Sequence, residues 1–96
     1  RKNHLIRDET MHRGTVDHTP LYPREVARRA LELQASALIM AHNHPSGDPS
    51  PSAADIETTR QVQQALAVLG VTLHDHLILA RRGLRSLRTL GYIATR

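Results

Sequence analysis

The sequence has no cysteine, no tryptophan and no phenylalanine. Without thiols it cannot hold a disulfide framework, a Cys-ligated zinc finger, an iron–sulfur cluster or a thiol nucleophile. Tyr22 and Tyr92 are its only Phe/Trp/Tyr-type aromatics, so the core has to be built from Leu, Ala, Val and Ile. No apolar run exceeds five residues, the length of Ala37 to Ala41, against the ~20 needed to span a bilayer. No signal-peptide pattern precedes it. These absences predict a soluble, cytoplasmic domain without membrane association. A methionine start is also missing. Arg1-Lys2-Asn3 reads as a turn leading into the apolar pair Leu5-Ile6, the expectation being a piece of a longer chain.

What is present is 96 residues, enough for one small domain. The formal charge is +4, resting on twelve arginines against one lysine, and there are seven histidines. Arg81, Arg82, Arg85 and Arg88 cluster near the C-terminus with no acid after Asp75. Such a cluster can attract phosphates in a salt-dependent way, which leaves a nucleic-acid partner open. It comes with no stacking aromatics and no helix-turn-helix, so a solvated surface is the plainer reading.

Along the chain, His4 to Arg7 reads as a short strand and Gly14-Thr15-Val16-Asp17 as a second extended or turning segment. Pro23 suits a first helical position, and Val26, Ala27, Ala30, Leu31 and Leu33 mark the apolar side of the helix it starts. Leu38-Ile39-Met40-Ala41 is short and uniformly apolar, a buried strand. His42 to Pro51 holds three prolines and a glycine, so a loop follows. Ser52 then caps a helix running through Ile56, Thr59, Val62, Ala65, Leu66 and Leu69, and Gly70 ends it. Val71 to Leu79 alternates as a strand, with Val71, Leu73, Asp75, Leu77 and Leu79 on one face and Thr72, His74, His76 and Ile78 on the other. Gly83 marks a turn before a short terminal element. Strand, helix, strand, helix, strand predicts an α/β (α+β layered) domain, a small mixed sheet with flanking helices. Ligands in such folds gather beyond the carboxyl ends of strands, where the His42 loop lies.

Chemistry concentrates there. If strand geometry persists to His44, alternation turns His42 and His44 to the same side, and two imidazoles so spaced can share one metal. Asp55, one turn into the next helix, can fold back as an anionic third ligand. Two histidines and a carboxylate leave zinc one open position, where a water's pKa falls toward about 7. Each residue also has a plainer role. A lone histidine usually packs or faces solvent, and Ser52-x-x-Asp55 has the form of a capping box. The two roles of Asp55 compete, since a metal-bound carboxylate is poorly placed to reach the Ser52 backbone.

His42-x-His44, seven residues, Ser52, two residues and Asp55 resemble the H-x-H-x7-S-x2-D core of JAMM (MPN-type) zinc metalloproteases. The wider string AHNHPSGDPSPSAAD resembles the bacterial RadC family's version of it. Gly14-Thr15-Val16-Asp17, Tyr22-Pro23-Arg24-Glu25-Val26, Leu69-Gly70-Val71 and Asp75-His76-Leu77-Ile78 are similar to RadC segments in the same order. The resemblance implies one JAMM/MPN domain over residues 1–96, truncated at its N-terminus, with a cytidine-deaminase-like layered architecture. It implies Zn2+ held by His42, His44 and Asp55, and Ser52 as the catalytic donor to an oxyanion. The activity it implies is hydrolysis of peptide or isopeptide bonds in a protein or peptide substrate by metal-activated water. The general base in such families is a glutamate upstream of Arg1. Glu9, Glu25 and Glu32 do not occupy its position, and Glu25 reads as structural. The expectation is therefore weak zinc binding and little or no amide hydrolysis by these 96 residues alone.

The remaining histidines divide. His74 and His76 repeat the i, i+2 spacing, so a second metal site is conceivable, but the preferred role is packing or support from behind the ligands, for example one side chain orienting a ligand imidazole. His4, His12 and His18 have no evident partner. The contiguous His-Asn-His is not the dispersed set of an HNH nuclease, and a nucleobase deaminase needs H-x-E and P-C-x-x-C, which do not occur. Besides the peptidase, a DNA-repair accessory module and a non-catalytic MPN-type interaction domain stand as alternatives. The intact His, His, Asp set argues against the last.

Overall fold

The computed structural model describes residues 22–94, so the expectations at His4 to Arg7, Glu9, His12, Gly14 to Asp17 and His18 lie outside the described residues. Helix α1 (Pro23–Glu32) starts on proline, whose fixed φ suits the first turn, and carries Glu25 near its N-terminus and Arg29 near its end. Val26 and Ala30 are its buried side, with Ala27 packed against the core. Leu31, expected on that side, is 54% exposed.

Strand β1 (Ala37–Asn43) is longer at both ends than the apolar run that announces it and includes His42. It is not buried on both faces. Met40 is buried in the core with the helix residues Val26, Ala30, Val62 and Leu66, whereas Ile39, on the opposite face of the strand, is 56% exposed. Helix α2 (Ala53–Val68) lies within the expected span. Ser52 caps it, the backbone reverses at Gly70 with φ +76, and Thr59, Val62 and Leu66 form its buried stripe.

Strand β2 (Thr72–Ala80) runs parallel to β1, and β3 (Gly83–Ser86) returns antiparallel to β2, giving a mixed sheet in the order β1-β2-β3. The two-residue connection Arg81-Arg82 closes the hairpin between Ala80 and Gly83, where the expected turn falls. Helix α2 packs on β2 and α1 packs on α2. Met40, Leu73 and Ile78 from the sheet thus meet Val26, Ala30, Val62 and Leu66 from the helices, and Val71, Leu87 and Ile93 complete the core.

The alternation expected along β2 is broken. Leu38 pairs with Leu73 but Ile39 pairs with Asp75, leaving His74 as an extra residue. Such a bulge reverses the facing of everything after it. Leu73 is therefore buried together with His76 and Ile78, while Thr72 and His74 are exposed. Asp75 fastens this region. Its Oδ1 accepts from the backbone N–H of His76 (2.7 Å) and of Arg88 (3.0 Å), and its Oδ2 from the Ser86 hydroxyl (2.6 Å). Burial acts to raise the Asp75 pKa, but these bonds outweigh it and hold the carboxyl below its ordinary range.

Candidate metal centre

The carboxyl end of β1 and the first turn of α2 supply the residues. His42 shares the inner face of β1 with Met40, two residues away. His44 lies just past the strand, and its N–H extends the ladder to the Leu79 carbonyl at 2.8 Å. The loop beyond it is tied down at several points. Gly47 takes φ +90, a conformation that L side chains rarely adopt. Its carbonyl accepts from the Arg82 N–H at 3.1 Å, and Asp48 Oδ1 accepts from the Ser50 N–H at 2.9 Å.

Asp55 faces both histidines. Its Oδ2 is 3.0 Å from His44 Nε2 and its Oδ1 is 3.6 Å from His42 Nε2. All three residues offer ligand atoms lying within 4.8 Å of one another, and they are the only such group of three among the described residues. Asp55 caps the helix from the same position in which it faces the imidazoles. Asp55 Oδ2 accepts from the Ser52 N–H at 2.8 Å while Ser52 Oγ accepts from the Asp55 N–H at 3.0 Å, a complete capping box. The cap aims the carboxylate at the imidazoles, and a carboxylate oxygen has lone pairs for both tasks. Burial acts to raise the Asp55 pKa, but the Ser52 hydrogen bonds and the two facing imidazoles outweigh it, so the group stays anionic below its ordinary range.

The far side of each imidazole is also engaged. His44 Nδ1 is 2.9 Å from the Asp48 carbonyl, which can only accept. The Nδ1 therefore carries the hydrogen, and in the neutral ring Nε2 presents a lone pair to Asp55. Two acceptors 3.0 Å apart need a proton or a cation between them. A metal fits this donor set: tetrahedral zinc at about 2 Å from its ligands places them roughly 3.3 Å apart, within the spread seen here. For His42, burial lowers the pKa, followed by the opposing attraction of Asp55 and the repulsion of His44, with a net fall. Its lone pair is thereby available near neutral pH.

His42 Nδ1 is 3.0 Å from His76 Nε2, and His76 Nδ1 is 2.6 Å from the Thr59 hydroxyl. His76 is 3% exposed and Thr59 fully buried. Desolvation, reinforced by the nearby His42, pushes the His76 pKa down to about 4. His76 thus stands behind a candidate ligand imidazole, in contact with its Nδ1, which fits the role preferred for it. A second metal site at His74 and His76 is not formed, since the bulge leaves His74 exposed while His76 turns inward. Thr59 counted only as one position on the apolar stripe of α2. The signal that it does more is a hydroxyl in a core position four residues after a candidate ligand. Asp48 acts through its backbone, which no side-chain pattern reveals.

These observations define a class: a small α/β domain with a two-histidine, one-carboxylate group able to bind a metal. The chain matches the RadC-like JAB domain family over residues 1–92 and belongs to that family. It is 61% identical over 93 residues to a UPF0758 protein of Ruegeria pomeroyi, covering 97% of this chain and 42% of that one. It is 59% identical over 93 residues to a UPF0758 protein of Rhodobacter capsulatus, with 97% and 44% covered. The chain therefore spans less than half the length of these curated relatives. No helix among the described residues is long and apolar enough to cross a membrane.

Proposed function

We propose that this domain is the zinc-binding hydrolytic part of a JAMM-type metallopeptidase acting on peptide or isopeptide bonds. The observation that carries the reading is the convergence of His42 Nε2, His44 Nε2 and the Asp55 carboxylate, with the opposite nitrogen of each ring already hydrogen-bonded. Two imidazoles and one carboxylate suit zinc, and leave a fourth position for water. Bound there, zinc supplies Lewis acidity toward a carbonyl and lowers the pKa of water. Ser52 sits beside Asp55 and is exposed. Its oxygen accepts from the Asp55 N–H, so its hydroxyl hydrogen is available to an oxyanion.

Of the three described glutamates, Glu25 lies in the first turn of α1, Glu32 is engaged by Arg28 and Arg29, and Glu57 by Arg60 and Gln61. Glu32 and Glu57 are exposed, and none of the three belongs to the His42, His44 and Asp55 group. The test is hydrolysis of a panel of fluorogenic peptides and isopeptide-linked conjugates by the full-length protein. We expect turnover that a chelator abolishes and stoichiometric zinc restores, with Ser52→Ala slower by about 10²-fold, as for other oxyanion donors. Turnover insensitive to chelation would contradict the proposal.

A second reading draws on the β2–β3 hairpin. Arg81, Arg82 and Arg85 are exposed there, whereas Arg88, expected with them, binds the His74 carbonyl through Nε. Three arginines beside the metal loop support a phosphate-bearing partner such as DNA. Binding to duplex or single-stranded DNA that weakens steeply with salt would favour this reading, and affinity unchanged from low to high salt would remove it.

A further inference from the structure

The hydrogen bonds behind His42 run in one direction only. The Thr59 hydroxyl donates to the Asp55 backbone carbonyl at 2.7 Å. A hydroxyl has one hydrogen, so toward His76 the Thr59 oxygen can only accept, and His76 Nδ1 must hold the hydrogen in their 2.6 Å contact. In the neutral ring this leaves His76 Nε2 as an acceptor. The hydrogen in its 3.0 Å contact with His42 therefore sits on His42 Nδ1, and His42 Nε2 is left with a lone pair facing Asp55. Donation thus runs from the His42 imidazole, beside the Asp55 side chain, through His76 and Thr59, and ends on the Asp55 backbone carbonyl as the final acceptor.

We propose that Thr59 and His76 are positioning residues that fix His42 in the tautomer whose Nε2 is free to take a metal. This rests on the metal-site reading above but concerns groups that do not touch the metal. Each link is built rigidly. Thr59 lies four residues after Asp55 on the buried stripe of α2, so its hydroxyl reaches the Asp55 carbonyl by helical geometry alone. His76 is turned inward by the bulge at His74. Met40 pairs with His76 and His42 with Ile78, so His42 and His76 are diagonal neighbours on one face, with ring centroids 5.1 Å apart. His44 reaches the same state separately, through the Asp48 carbonyl. Both ligand imidazoles are thereby set before any metal arrives.

The test is nitrogen NMR of the histidine rings in the metal-free protein at pH 8, together with zinc affinity from chelator competition. The expected result is His42 and His76 both as Nδ1–H tautomers in the unmodified protein, a measurement that needs no variant. Thr59→Ser keeps a hydroxyl and should preserve both the tautomer and the affinity. Thr59→Val keeps the shape but removes the hydroxyl. It should mix the tautomers of His76 and His42 and weaken zinc binding by 10- to 100-fold. His42 found as the Nε2–H tautomer in the unmodified protein would overturn the proposal, as would a folded Thr59→Val protein with unchanged tautomers and affinity. If the tautomers are as expected but zinc does not bind, the metal-site reading fails and the relay stands.

Discussion

The candidate ligands His42, His44 and Asp55 were legible at the residue scale because their spacing is a property of the chain itself. The shell behind them was legible only in part: support from His76 was expected, but Thr59 was not, because it meets His76 only once α2 lies on β2. His76 yields a prediction about pH. Its pKa is about 4 in the fold, against an ordinary 6.5. The unfolded chain therefore binds a proton below pH 6.5 that the folded chain refuses until about pH 4. The stabilisation is complete above about 6.5, is lost as pH falls through that window, and does not change further below about 4. The shift corresponds to about 3 kcal/mol, with His42 acting in the same direction. Asp55 and Asp75, held low, keep their contributions until more acidic pH. Urea denaturation of the metal-free protein at pH 7.5 and at pH 5 checks this, and equal unfolding free energies would count against a buried neutral His76.

Among the elements, α2 was legible from end to end, since Ser52, Asp55 and Gly70 carry its start and stop in their own chemistry. Strand β2 was legible in extent but not in facing. Val71 to Leu79 alternates evenly, and the bulge exists only in the pairing with β1, which a single strand cannot reveal. The apolar run of β1 announced burial on both faces, whereas the core gathers on the Met40 face and leaves Ile39, on the other, exposed. The bulge gives a prediction of its own. Because His74 is the unpaired extra residue, deleting it should straighten the strand while leaving Asp75 opposite Ile39 and His76 opposite Met40. Zinc affinity of the deletion protein should stay within about threefold of the parent, on the premise that the ligand shell is unmoved. A larger loss with the circular dichroism spectrum unchanged would mean that the bulge, not only the register after it, shapes the site.

At the scale of the whole molecule, a layered domain with a mixed sheet and two helices follows from the order of element types, which the sequence carried openly. The core is modest, ten buried apolar residues among those described and no aromatic. A ligand that joins β1 to α2 therefore matters to stability as well as chemistry. A metal that binds only the folded state at a hundred times its Kd adds about 2.7 kcal/mol. The central claim is that one zinc ion is held by His42, His44 and Asp55, and elemental analysis of the purified full-length protein alongside its His42→Ala and Asp55→Ala variants tests it most directly. The account predicts one zinc per chain in the unmodified protein and far less in each folded variant. Zinc retained at full stoichiometry by both variants would contradict it.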